Sequence, residues 1–190
     1  MMTPAEPEIR LAYRAGGWIV DDVLALPEER TGGNRVELVD GVLLVSPLAR
    51  LEHQRLVGRL WGELSPAAAP RLEVLPGATL VLGNRNNRLL IPDLVVSTAP
   101  GLEGVSLTEQ QMAMVVEIES PSTRVQDRIL KKALYAEALI PYYLLVDPAQ
   151  EPVAATVFGL DGGEYVPIEE SEGGVLELVE PFGARVDLRG

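Results

Sequence analysis

Apolar and polar positions follow two periods along this chain, and the switches between them mark its elements. Asp21 and Asp22 stand where a short helix would begin, running to Leu26 and ended by Pro27. Residues 36–39 alternate, Asp40-Gly41 is a tight-turn pair and residues 42–45 are apolar, which predicts a β-hairpin. Within residues 51–64, apolar side chains at 56, 57, 60, 61 and 64 have helical spacing, with Pro66 and Pro70 placed to end the helix. Short strands are predicted over 72–75 and 78–82, a turn over 83–88, and a strand-like stretch over 89–97 that contains Pro92. A loop over 99–109 leads to residues 112–118, whose apolar run reads as a buried central strand. Ser122 or Thr123 is a suitable N-cap for a second long helix reaching about Leu139, with Val125, Ile129, Ala133, Leu134 and Ala136 as its apolar stripe. Residues 142–146 form another buried strand, and Asp147-Pro148 a turn. A β-meander over 153–158, 165–168, 175–178 and 185–188 completes the pattern, with a turn at Asp161-Gly162-Gly163. The expectation is one α/β (α+β) domain over residues 1–190, with a mixed central sheet flanked by helices and a C-terminal meander.

Composition narrows the chemistry. A chain of 190 residues can bury one core without help from cross-links. It has no cysteine, which excludes disulfides, zinc–thiolate sites, iron–sulfur clusters and cysteine nucleophiles, and fits a reducing compartment. Residues 1–14 are polar and lack the apolar stretch of a signal peptide, and no apolar run is long enough to span a bilayer. A soluble, cytoplasmic protein is expected. The net charge of −12 argues against nonspecific polyanion binding by the whole molecule. Its distribution is uneven: residues 1–48 carry −4 and 149–190 carry −7, while 50–88 and 121–132 carry +3 each. A local basic face for nucleic acid and an ordinary solvated helix face both fit these two central segments.

Two apolar strands each contain acids: Asp93 in Ile91-Pro92-Asp93-Leu94-Val95-Val96, and Glu117 and Glu119 in Val115-Val116-Glu117-Ile118-Glu119. An ionised carboxylate in such surroundings is costly unless it is paired or binds a cation. Glu117 and Glu119 are two apart and share one face of their strand. If Asp93 lies beside them, converging carboxylates of this kind suit Mg²⁺ or Mn²⁺. A strand-end acid paired with an arginine is the plain alternative for each taken singly.

The wider set of motifs is more specific. Glu37-Leu38-Val39-Asp40-Gly41, Glu52-His53-Gln54, Pro92-Asp93, Val116-Glu117-Ile118 followed by Ser120-Pro121-Ser122-Thr123, then Asp127, Lys131, Leu134-Tyr135-Ala136 and Pro141–Pro148 occur in that order. Over roughly residues 20–165 this order resembles a bacterial family of restriction-endonuclease-like proteins in the PD-(D/E)XK nuclease superfamily. The resemblance implies a restriction-endonuclease-like mixed sheet with helices on both sides, and metal-dependent hydrolysis of phosphodiester bonds, with DNA as the expected substrate. It implies Asp93 and Glu117 as metal ligands, with Glu37 as a further acidic ligand. The pattern departs at the third motif position, which holds Glu119 where a lysine is usual. The resemblance hands the lysine's role to Lys131 on the following helix, with Lys132 beside it as the second candidate. Glu119 then reads either as a third ligand or as a paired acid on the far side of the sheet. Lys131 reads either as the site lysine or as a solvated partner of Asp127. His53, the sole histidine, is assigned no catalytic role, and Trp18 and Trp61 read as core or interface residues. Many related nucleases cut as dimers, so a homo-oligomer is expected, with the apolar 142–146 strand and the C-terminal meander as candidate supports for it. Two other readings stay open: a non-catalytic binding module that keeps the fold, and a hydrolase of another phosphate ester.

Overall fold

The structure, a computed structural model, describes residues 14–27, 31–83, 87–120 and 126–189. In chain order its elements are α1 (Val20–Leu24), β1 (Arg35–Val39), β2 (Val42–Ser46), α2 (Leu51–Ala68), β3 (Glu73–Pro76), β4 (Leu80–Leu82), β5 (Arg88–Leu90), β6 (Leu94–Ser97) and β7 (Leu107–Thr108). A 3₁₀ turn over Glu109–Gln111 leads into β8 (Met112–Ile118), and a π-helical stretch over Gln126–Lys131 runs into α3 (Lys132–Glu137). The chain ends with β9 (Tyr142–Asp147), β10 (Ala154–Asp161), β11 (Glu164–Glu170), β12 (Val175–Leu178) and β13 (Ala184–Asp187).

The uninterrupted apolar run of β8 becomes the middle of a six-stranded mixed sheet, ordered β11-β10-β9-β8-β6-β3. β8 pairs parallel with β9 and antiparallel with β6. Every residue of β8 is buried, as a strand covered on both faces requires. On one face Met114, Val116 and Ile118 pack with Leu56, Leu60 and Leu64 of α2 and with Leu176, Leu178 and Val186 of the β12–β13 hairpin. On the other, Val95, Val115 and Tyr143 pack with Leu134 and Tyr135 of α3 and with the second sheet. That second, five-stranded sheet is ordered β2-β1-β5-β4-β7. Its β1–β2 hairpin turns at Asp40-Gly41, where both residues have positive φ, as a two-residue hairpin turn demands.

Proline has different effects at three places. The stretch at 89–97 is split at Pro92: β5 belongs to the five-stranded sheet and β6 to the six-stranded one, so Ile91-Pro92-Asp93 is where the chain crosses between them. Pro66 does not end α2, which continues to Ala68. The acceptor it leaves without a helical donor is the carbonyl of Gly62, on the exposed side of the helix where water can serve it. Pro70 follows the C-cap residue Ala69, just past the helix end at Ala68. The predicted caps Ser122 and Thr123, with Val125 of the predicted stripe, lie outside the described residues. Two other members of that stripe are placed differently: Ile129 is 67% exposed, and Ala133 is exposed too. A π-helical turn takes more residues per turn than an α-helix, so the inward face runs through Asp127, Lys131, Leu134 and Tyr135 instead. Among the described residues no helix is long and apolar enough to cross a membrane.

Candidate active site

The carboxylates enter the site from three places. Glu37 lies in β1, a strand whose middle three residues are buried. Asp93 sits at the crossover just before β6, and Glu117 is the sixth residue of β8. The β6–β8 register sets Leu94 opposite Val116, so continuing the ladder by one step brings Asp93 beside Glu117, on the face covered by α3. Glu37, Asp93 and Glu117 are all buried.

Each carboxylate has defined partners. Asp93 Oδ2 accepts the Ile118 backbone N–H at 2.8 Å. Its Oδ1 accepts both terminal nitrogens of Arg35 at 3.0 Å and stands 3.0 Å from His53 Nε2. Burial alone would raise the Asp93 pKa; His53, the Arg35 charge and the Ile118 N–H outweigh it and hold the group below the usual carboxylate value. Glu117 Oε1 accepts Lys131 Nζ at 3.0 Å and the Tyr135 hydroxyl at 2.7 Å. Full burial pushes Glu117 up; Lys131 pulls it down, but Asp93, Asp127 and Glu37 push it further up, to about 8. Glu37 Oε1 accepts the Ile91 N–H at 2.8 Å and lies 3.0 Å from Lys131 Nζ.

Lys131 is therefore central. Its ammonium is 3% exposed, 3.0 Å from both Glu37 and Glu117 and 3.8 Å from Asp127. Burial disfavours its charge, but Glu117, Glu37 and Asp127 outweigh this and hold it protonated well above the usual lysine value. The geometry removes the solvated-lysine reading and separates the two candidates. Lys132 turns away, its ammonium 3.5 Å from the centre of the Phe158 ring, where burial lowers its pKa. Asp127, Lys131 and Tyr135 follow one another four residues apart along the inward face of the π-helical stretch and α3.

Glu119 is buried, but its carboxylate is bonded by Arg128, whose Nη2 also reaches Asp147 Oδ2 at 2.8 Å. Glu119 is thus paired with an arginine. Sequence reasoning passed over Arg35, Tyr135 and His53 as site residues. Arg35 gave no local signal, while Tyr135 and His53 stood in the quoted Leu134-Tyr135-Ala136 and Glu52-His53-Gln54 motifs, and His53 faces the site from the first turn of α2. Of the central arginines, Arg59 binds the carbonyls of Leu188 and Arg189, and Arg88 pairs with Asp40 and Glu137. Arg50 and Arg55, on either side of His53, are exposed. Trp18 is buried in the core, and Trp61 donates its indole N–H to Val74 O.

The donor set bears on a divalent cation. Among the described residues no group of three or more His, Asp and Glu side chains is arranged to hold a metal ion as it stands. Magnesium, however, is commonly held by one or two carboxylates together with water and substrate phosphate, not by an all-protein cage. Among the described residues, the carboxylates of Glu37, Asp93, Glu117 and Asp127 lie around two cations, Arg35 and Lys131. A proton on Glu117 relieves one charge of this deficit; a divalent cation would relieve two. Hard oxygen donors and a shortage of positive charge fit Mg²⁺ or Mn²⁺ at Asp93 and Glu117.

A family model described as Uma2, "putative restriction endonuclease", matches residues 20–189. The chain belongs to this family. Among solved structures, the Uma2 chain is similar to a crystal structure titled as a putative nuclease belonging to DUF820 from Anabaena variabilis ATCC 29413. The two share 18% identity, the match covers 80% of this chain and 84% of the other, and the TM-score is 0.57. At that identity the likeness shows a shared fold. A comparison with curated proteins finds no match.

Proposed function

We propose that this Uma2 chain is a metal-dependent nuclease that hydrolyses phosphodiester bonds in DNA. The observation that carries the reading is the buried lysine held between two carboxylates, Glu37 and Glu117, with Asp93 alongside (Lys131 Nζ 3.0 Å from each glutamate). Asp93 and Glu117 would hold Mg²⁺ or Mn²⁺, with Glu37 completing the acidic set. The cation's part is to polarise a phosphoryl oxygen and lower the pKa of attacking water. Lys131 brings a fixed positive charge to the place where negative charge grows on the phosphate, and its burial keeps water from screening it. Tyr135 fixes the orientation of Glu117, and Ile118 N–H fixes that of Asp93. Water adds to phosphorus, one P–O ester bond breaks, and the products are a phosphate monoester and an alcohol. The exposed Arg50 and Arg55, beside the site at the start of α2, are suited to neighbouring phosphates. Two copies are expected to pair and present one site to each strand of a duplex.

The test is calorimetric titration of Mg²⁺ and Mn²⁺ into the full chain, its Asp93→Asn and Glu117→Gln variants, and Lys131→Met, followed by plasmid nicking. The carboxylate variants should lose metal affinity by ~10-fold or more. Lys131→Met should keep metal binding but lose nicking by roughly 10²–10³-fold. Wild-type protein that binds neither metal at millimolar concentration and nicks no plasmid overturns the reading and favours a binding module.

A further inference from the structure

Arg35 is the first residue of β1, two before Glu37 and on the same face of the strand. Both of its terminal nitrogens lie 3.0 Å from one oxygen, Asp93 Oδ1, and its charge is favoured by Asp93, Glu117 and Glu37 together. Its guanidinium, beside His53 Nε2, thus occupies Asp93 Oδ1, the oxygen that a cation held by Asp93 would take. The two built-in cations differ in one respect. Lys131 is 3% exposed and packed under α3, whereas the Arg35 side chain is 29% exposed and reaches the site from the rim. Asp93 Oδ2 is committed to the backbone of β8, so Oδ1 is the oxygen open to exchange. Arg35 can leave it for solvent without opening the core; Lys131 cannot. An arginine released at the rim keeps its planar fork of donors, which matches a phosphate better than a lysine would.

We propose that Arg35 is a displaceable internal cation: it holds Asp93 in the free protein, gives way to the divalent ion, and turns its guanidinium to a phosphate of the substrate. This rests on the reading of Asp93 as a metal ligand. It makes Arg35 a residue whose removal has opposite effects on the two ligands, a pattern that loss of a merely structural contact does not produce.

The experiment is Mn²⁺ titration by calorimetry into the metal-free full chain, wild type against Arg35→Gln, with circular dichroism as the fold control and plasmid nicking as the second readout. Arg35→Gln should bind Mn²⁺ roughly 10-fold tighter, the scale of one charge-assisted pair removed from competition, and should raise the KM for plasmid DNA. Equal or weaker Mn²⁺ binding by a folded Arg35→Gln, with wild type binding and Asp93→Asn not, overturns the proposal and leaves the nuclease reading standing. Tighter Mn²⁺ binding with an unchanged KM overturns the phosphate half. Absence of Mn²⁺ binding in both proteins removes the metal reading and this proposal with it. If Arg35→Gln does not fold, Arg35→Lys replaces it: it keeps the charge but loses the two-nitrogen grip on Oδ1. A smaller gain in Mn²⁺ affinity is then expected, and no gain overturns the proposal.

Discussion

Glu117 answers to opposite demands: burial and three neighbouring carboxylates favour its protonated form, and Lys131 favours its charge. With a folded value near 8 against an ordinary 4.5, the folded state holds this proton after the unfolded chain has released it. Stability from this group is therefore full below about pH 4.5 and falls as pH rises towards 8. The melting temperature of the metal-free protein should drop across this window, and Glu117→Gln should flatten the drop; scanning calorimetry at several pH values measures both. Parallel slopes in the two proteins would count against the assignment. Asp93 works in the opposite sense: its lowered pKa contributes stability above the usual carboxylate value, lost on acidification below it. Both acids were legible in the sequence because a carboxylate inside an apolar strand needs a partner. Arg35 was not, because a polar first residue of an alternating strand is ordinary, and Asp93 lies 58 residues away. Tyr135 stood in the quoted Leu134-Tyr135-Ala136 motif without a role; only the fold aims its hydroxyl at Glu117.

At the scale of elements, the hairpin, the long helix and the two buried strands were readable from period and punctuation alone. β8 was predicted over 112–118 and spans Met112–Ile118. The helix after it was misread in detail, because a 3.6-residue period was applied to a stretch that begins as a π-helical turn. That turn carries Asp127 and Lys131 inward and leaves Ile129 outside. Ile129→Lys should then change stability by no more than ~0.5 kcal/mol, and Leu134→Ala should cost ~2–5 kcal/mol; urea denaturation separates them. A large cost at Ile129 would return that residue to the core. The split at Pro92 was also hidden: the proline signalled an interruption, but which sheet each half joins depends on partners distant in sequence.

For the whole molecule, a net charge of −12 opposes a polyanion at long range, so the proposed binding of DNA would depend on local contacts at the site and its rim. Self-association would strengthen those contacts. Among the described residues β2 is an edge strand, and Val42 and Val45 on it are exposed. The sequence Val42-Leu43-Leu44-Val45 reads the same in both directions, which suits antiparallel pairing of two copies about a two-fold axis. Sedimentation at micromolar concentration should show a dimer, and Val45→Lys should shift it to monomer. A wild-type monomer at those concentrations would set the pairing aside.

Glu37 belongs to the five-stranded sheet and Glu117 to the six-stranded one, and a single ammonium touches both. Lys131 is accordingly a mechanical tie as well as a charge. The two layers are fastened at the point where the chemistry is proposed. A change that slides one sheet over the other would part the acids from their shared cation, so the relative position of the layers sets whether the site is assembled at all.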